Sequence, residues 1–211
     1  MRKIFIAFFI IAVFKGQAQD PIQSISKTYF RAHPFNSKFS NFILNLQRDP
    51  WFKIENYDRR TDSAFFFLKG TYQNFNPFKF TPGKLMLIVA EEEIIYSDSL
   101  HTHDTIVNLQ LIGMIDSNMA IDKTVQKEFK RFHLSYSGRF DDFKARILKD
   151  GQKITGEVYN YFISPFSISP VTIAWGILPD TNQYGFTITI RFKVTENQAV
   201  YITQPGELKG L

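Results

Sequence analysis

The sequence predicts an α+β fold built as two tandem similar modules, each an amphipathic helix followed by an antiparallel β-meander. Three internal matches in one order point to it. Lys38-Phe39-Ser40-Asn41-Phe42 and Arg139-Phe140-Asp141-Asp142-Phe143 match at a spacing of 101 residues. Pro77-Phe78-Lys79-Phe80-Thr81-Pro82 and Pro165-Phe166-Ser167-Ile168-Ser169-Pro170 match at 88, and Val107, Leu109, Leu111, Gly113, Ile115 match Phe186, Ile188, Ile190, Phe192, Val194 at 79. Self-similarity of this kind is the signature of a duplicated supersecondary unit. The alternative is one α+β domain in which amphipathic elements resemble one another by composition.

Residues 1–19 read as a secretory signal peptide. Arg2 and Lys3 precede an eleven-residue apolar run from Ile4 to Phe14, and Gly16 and Ala18 place small residues at −3 and −1 of a cleavage site. Such a run spans about half of the ~20 residues a membrane helix needs, and Lys15 interrupts it. The expectation is therefore cleavage near Ala18, no transmembrane anchor afterwards, and a periplasmic or secreted product.

The modules are drawn at 20–125 and 126–211. In the first, Phe39, Phe42, Ile43 and Leu46 recur at i, i+3, i+4, i+7, which predicts a helix with Ser37 as N-cap and Pro50 as its stop. In the second, Phe140, Phe143 and Ile147 repeat most of that stripe, with Ser137 as N-cap and Gly151 as stop. Two strand-like runs, Trp51 to Tyr57 and Ser63 to Tyr72, flank a charged turn. Two more, Lys84 to Ala90 and Ile94 to Tyr96, flank Glu91-Glu92-Glu93, read as a polar turn. The prolines of the 88-spaced match punctuate loops or edge strands. Period-two alternation in the 79-spaced match describes a half-buried strand leading into a hairpin, through Asn118-Met119-Ala120-Ile121 in one copy and Asn197-Gln198-Ala199-Val200 in the other. The falling spacings place insertions in the first copy within Trp51 to Asn76 and Glu91 to Ile106.

Composition narrows the function classes. The chain of 211 residues is 44% hydrophobic and 21% charged, so it can bury a core. Without Arg2, Lys3 and Lys15 the formal charge falls from +5 to +2, and neither half carries the basic bias that phosphate backbones require. Nucleic acid is not an expected partner. No cysteine is present, so an exported chain must rely on its apolar core rather than on disulfides. Its many phenylalanines are core at alternating strand positions, with a cavity for an apolar ligand as the second reading.

The candidate chemistry lies in the insertions. His101-Thr102-His103-Asp104 offers two imidazoles at i, i+2 and a carboxylate; on an extended strand the two histidines share a face and can begin a metal site, though zinc needs a further ligand and a solvated loop explains the run as well. His33 and His133 are the distant candidates for that ligand, or ordinary half-buried histidines. Arg59 and Arg60, inside Asp58-Arg59-Arg60-Thr61-Asp62, fit either a carboxylate or phosphate ligand or a charged hairpin turn. Ser63, Ser99 and Thr105, each in an Asp-Ser/Thr-apolar triplet, resemble the acceptor of bacterial protein O-glycosylation. No phosphate-binding glycine loop or nucleophile elbow is present, and no cofactor is expected. The favoured function is a non-catalytic exported protein that binds a protein or an apolar small ligand. Its rival is a periplasmic hydrolase or metal-dependent enzyme using His101, His103 and Asp104. The tandem arrangement resembles that of β-lactamase inhibitory proteins in architecture only, since no motif carries that function.

Overall fold

The computed structural model describes residues 21–59, 66–95, 103–116, 119–149, 153–162, 168–177 and 183–202. They form three helices and nine strands, an α+β architecture dominated by its sheet. Helix α1 covers residues 21–29 and α2 covers Phe39–Arg48. Strands β1 (Phe52–Arg59), β2 (Phe66–Tyr72), β3 (Lys84–Ile95) and β4 (His103–Asp116) follow, then α3 (Met119–Tyr136). The chain ends with β5 (Asp141–Lys149), β6 (Lys153–Phe162), β7 (Val171–Ile177), β8 (Gln183–Thr195) and β9 (Gln198–Tyr201).

All strand pairs are antiparallel, in the order β1-β2-β3-β4-β8-β7-β6-β5, with β9 on β8. The two strands with the clearest alternation, β4 and β8, lie side by side at the centre, with Val107 opposite Phe192 and Leu111 opposite Ile188. Each odd-numbered apolar residue of β4 therefore stacks on an even-numbered one of β8. This arrangement puts one face of both strands into the core.

The three helices cover that face. Ile22, Ile25 and Tyr29 of α1, Phe39, Phe42, Ile43 and Leu46 of α2, and Val125, Phe129, Phe132 and Tyr136 of α3 join the strand residues in one cluster. Each set follows helical spacing, so each helix buries one stripe. The loop between β2 and β3 adds Phe78 and Phe80, stacked at 5.1 Å. Their rings lie directly over Gly113, where a Cβ would stand 2.7 Å from Phe78 and 2.9 Å from Phe80. The glycine in the alternating run of β4 is thus a close-approach position.

Helix α2 is the one expected between Lys38 and Pro50, but Ser37 does not cap it. Its N-terminus is closed from the far end of the chain. The β8–β9 hairpin turns at Glu196 and Asn197, both with positive φ (49° and 62°), as a two-residue turn of this kind requires. That turn presents Asn197 to the helix. The Phe39 N–H donates to Asn197 O (2.6 Å), the Ser40 N–H to Asn197 Oδ1 (2.8 Å), and Asn197 Nδ2 to Ser40 Oγ (2.8 Å).

Three expectations are corrected. The segment from Phe140 to Lys149 is not a helix. It enters β5, an edge strand, and Phe143, expected in the core, is 62% exposed. Its triplet Phe143, Ala145, Ile147 also satisfies period two, and pairing with β6 decides between the patterns. The helix that precedes the second meander is α3, so residues 125 and 126 lie within a helix and Ser137 sits in the short 3₁₀ turn Ser137–Arg139. Second, Met119-Ala120-Ile121 opens α3, Asn118 lying outside the described residues, whereas the counterpart at 197–200 is the expected hairpin. Third, Glu91-Glu92-Glu93 is not a turn; β3 runs through it to Ile95. Because the 101-residue match aligns a helix with a strand, the first insertion inferred from its spacing lapses. The stretches named for insertions hold the β1–β2 hairpin and the facing ends of β3 and β4.

Candidate functional site

The sequence-predicted site residues converge less than the sequence suggests. Arg59 closes β1 opposite Phe66, in one row with Glu91. Burial pushes the Glu91 carboxyl above the ordinary carboxylate range, against the pull of the Phe66 N–H and the nearby Arg59 charge. His103 opens β4 opposite Ile95, four residues or roughly 13 Å farther along the sheet than Glu91. Arg59 and His103 are therefore not brought together. Residues 103 and 104 fall on alternate faces of the strand. Thr105 lies on β4 opposite Glu93. Arg60, Ser63, Ser99 and His101 lie outside the described residues. Among the described residues no three His, Cys, Asp or Glu side chains stand close enough to hold a metal ion.

The two distant histidines are half-buried. His133 stacks on Tyr159 with centroids 4.0 Å apart, approaches Tyr161 Oη at 3.2 Å and stands 3.9 Å from Asp142. His33 Nδ1 lies 3.3 Å from Ser26 Oγ. Burial first, then the Lys27 charge, holds the His33 imidazole below its ordinary range. His133 reaches β5 and β6 from α3, whereas His33 sits beside α1.

An ion pair with one buried partner locks the helix layer. Glu128 of α3, 2% exposed, accepts from Arg131 Nε (3.0 Å) and from Arg131 Nη2, and also from the Lys79 N–H (3.4 Å). Arg131 Nη2 donates on to Tyr29 Oη of α1 (3.3 Å). Burial pushes the Tyr29 hydroxyl up to about 12 despite the opposing Arg131 charge. This network joins α1, α3 and the β2–β3 loop, a structural assignment for a charge pair that sequence reading did not single out.

Two surfaces stand out as able to meet a partner. The first is the sheet face opposite the helices. Met86, Ile112 and Met114 form a separate buried cluster there, with Ile88 packed against it and no described helix contributing. Register places a row of residues without side chains beside Met114: Gly185, Gly176 and Gly156 stand opposite one another across β8, β7 and β6. The next rows hold Thr187, Ala174 and Val158, then Thr189, Thr172, Asn160 and the exposed Phe143. Met86, Ile112 and Met114, themselves buried, thus border a floor of small and hydroxyl residues.

The second surface is a groove of about 610 Å³ where the α1–α2 connection meets the end of α2, lined by Arg31, His33, Ser37, Phe42, Asn45, Arg48 and Asp49 among others. Its signal in the sequence was Arg31-Ala32-His33-Pro34 between two apolar stripes. Compared with known proteins, the chain matches no family model, no curated protein and no solved structure.

Proposed function

We propose that this chain is an exported, non-catalytic binding protein made of two copies of one helix-plus-meander module, and that the sheet face no described helix covers meets a protein partner. The duplication is supported by strand order. Exchanging β1–β4 with β5–β8 returns the same order reversed, and a helix precedes each meander. The 79-residue match relates the two central strands.

The observation that carries the binding reading is the second sheet face. Eight strands about 4.8 Å apart span roughly 34 Å, and β4 from Ile106 to Met114 covers about 27 Å. The product, roughly 900 Å², is close to the ~800 Å² that one partner contributes to a standard protein interface. The glycine row lets another surface approach the backbone, and the part-exposed Ile88, Thr172, Ala174 and Thr187 around it offer side chains to a partner.

Native mass spectrometry of the chain purified from its own host tests this. The expected spectrum contains a stoichiometric complex with a second protein, lost in Ala174→Arg and retained in Leu134→Arg on the solvent side of α3. A complex that survives both changes, or none at all, overturns the reading, and a small non-protein adduct replaces it with the apolar-ligand alternative. The intact mass in the same spectrum reads removal of the leader near Ala18, and any sugar on Ser63, Ser99 or Thr105.

A further inference from the structure

We infer that the groove between the α1–α2 connection and the end of α2 is a binding site for a small organic anion, a carboxylate or a phosphate ester. Three features of its wall support this. Arg31 is held in place before any ligand arrives: its Nε donates to Asp49 Oδ2 (2.6 Å), and its guanidinium carbon lies 4.0 Å from the centre of the Trp51 ring. Asp49 is itself fixed by the Trp51 N–H, which donates to Oδ1 at 3.0 Å, and its side chain is only 11% exposed. That pair uses one donor of Arg31, and the Nη amines make no hydrogen bond among the described residues. A guanidinium whose rotamer is already paid for by a ring and a carboxylate loses little entropy when it captures an oxyanion.

Arg48 supplies the second cation. It is exposed in the last turn of α2, lines the same groove, and makes no ion pair among the described residues. Asp49 is the one carboxylate of the lining and is already committed to Arg31, so the unspent charge of the groove is positive. Arginine in such a setting suits planar or tetrahedral oxyanions, which take two parallel N–H donors. His33 adds a polar contact without a competing charge. Ala32 and Pro50 give an apolar wall, and the volume lies within the range of sites for small molecules rather than for single inorganic ions. The site lies on the helix layer, away from the sheet face assigned to the protein partner, and does not depend on that assignment.

Trp51 provides the readout, because an anion drawn to Arg31 changes the charge over its ring. The experiment titrates the full mature chain carrying Trp175→Phe with succinate, with glucose 6-phosphate and with sodium chloride at matched ionic strength, following Trp51 fluorescence. The inference expects a saturable change with succinate or glucose 6-phosphate and none with chloride; which probe binds tighter distinguishes carboxylate from phosphate ester. Arg48→Gln should weaken that binding at least tenfold, and Arg48→Lys should recover part of it. Arg48 is exposed, so both variants are expected to fold, and an unchanged circular dichroism spectrum checks that they do. A response shared with chloride, no saturable response to either probe, or an affinity unmoved by Arg48→Gln overturns the inference.

Discussion

Phe42 and Phe143 occupy matching places in the sequence repeat yet opposite environments in the fold, so truncating each to alanine separates the two descriptions. Phe42 is 1% exposed, packs against Phe39 with ring centroids 5.8 Å apart and belongs to the single core cluster. Burying a phenylalanine contributes roughly 1.5–3 kcal/mol, and the cavity left behind raises the cost of Phe→Ala to about 3–5 kcal/mol. Phe143, at 62% exposure on an edge strand, keeps little more than a third of that contact; its loss costs about 1 kcal/mol at most. For a chain of this size each kcal/mol moves Tm by roughly 2–4 °C. Phe42→Ala should therefore lower Tm by roughly 6–20 °C, and Phe143→Ala by no more than about 4 °C. Denaturant and thermal melts of the two variants measure this. Equal destabilisation would refute the placement of residues 141–149 at the sheet edge and restore the helix that the repeat suggested.

Gly113→Val should destabilise by about 1–3 kcal/mol, because the new side chain must displace the stacked Phe78 and Phe80 rings; the same melts check it, and a neutral result would mean that the loop does not close over β4. Glu128→Gln should cost about 1–3 kcal/mol through the charged hydrogen bonds it weakens, less than a fully buried pair would because Arg131 is 40% exposed; adding Arg131→Met should recover part of the loss, which a double-mutant cycle reads. His33 resists protonation in the folded chain, so its contribution to stability is complete above its ordinary value of 6.5 and is lost as pH falls through the lower folded value. Between about pH 8 and about pH 5 the native chain should lose more stability than His33→Gln does, and parallel pH slopes would contradict that assignment.

Most strands were legible because alternation records burial locally: Val107 to Ile115 and Phe186 to Val194 give β4 and β8 directly, and Trp51 to Tyr72 gives the first hairpin. Helix α2 was legible for the same reason. What failed depended on partners distant in sequence. Phe140, Phe143 and Ile147 fit a helix stripe and a strand equally, and only β6 decides between them. The run Val125, Phe129, Phe132, Tyr136 is a clean helical stripe, but the likeness of Asn118-Met119-Ala120-Ile121 to the β9 hairpin drew attention to a strand. Ser37 looked like the cap of α2 because Asn197 lies 157 positions away from Ser40. The second sheet face was illegible for a further reason: Met86, Ile112, Gly176 and Gly185 become one surface only when register is known.

Photo-crosslinking tests the account most directly. A photoreactive amino acid at Thr172, on the second sheet face, should give a discrete adduct with one other protein in the native compartment. The same probe at Leu134, 80% exposed on α3, should give none. An adduct from Leu134 with none from Thr172 would contradict the account, placing the partner on the helix layer and leaving the opposite sheet face as structure alone.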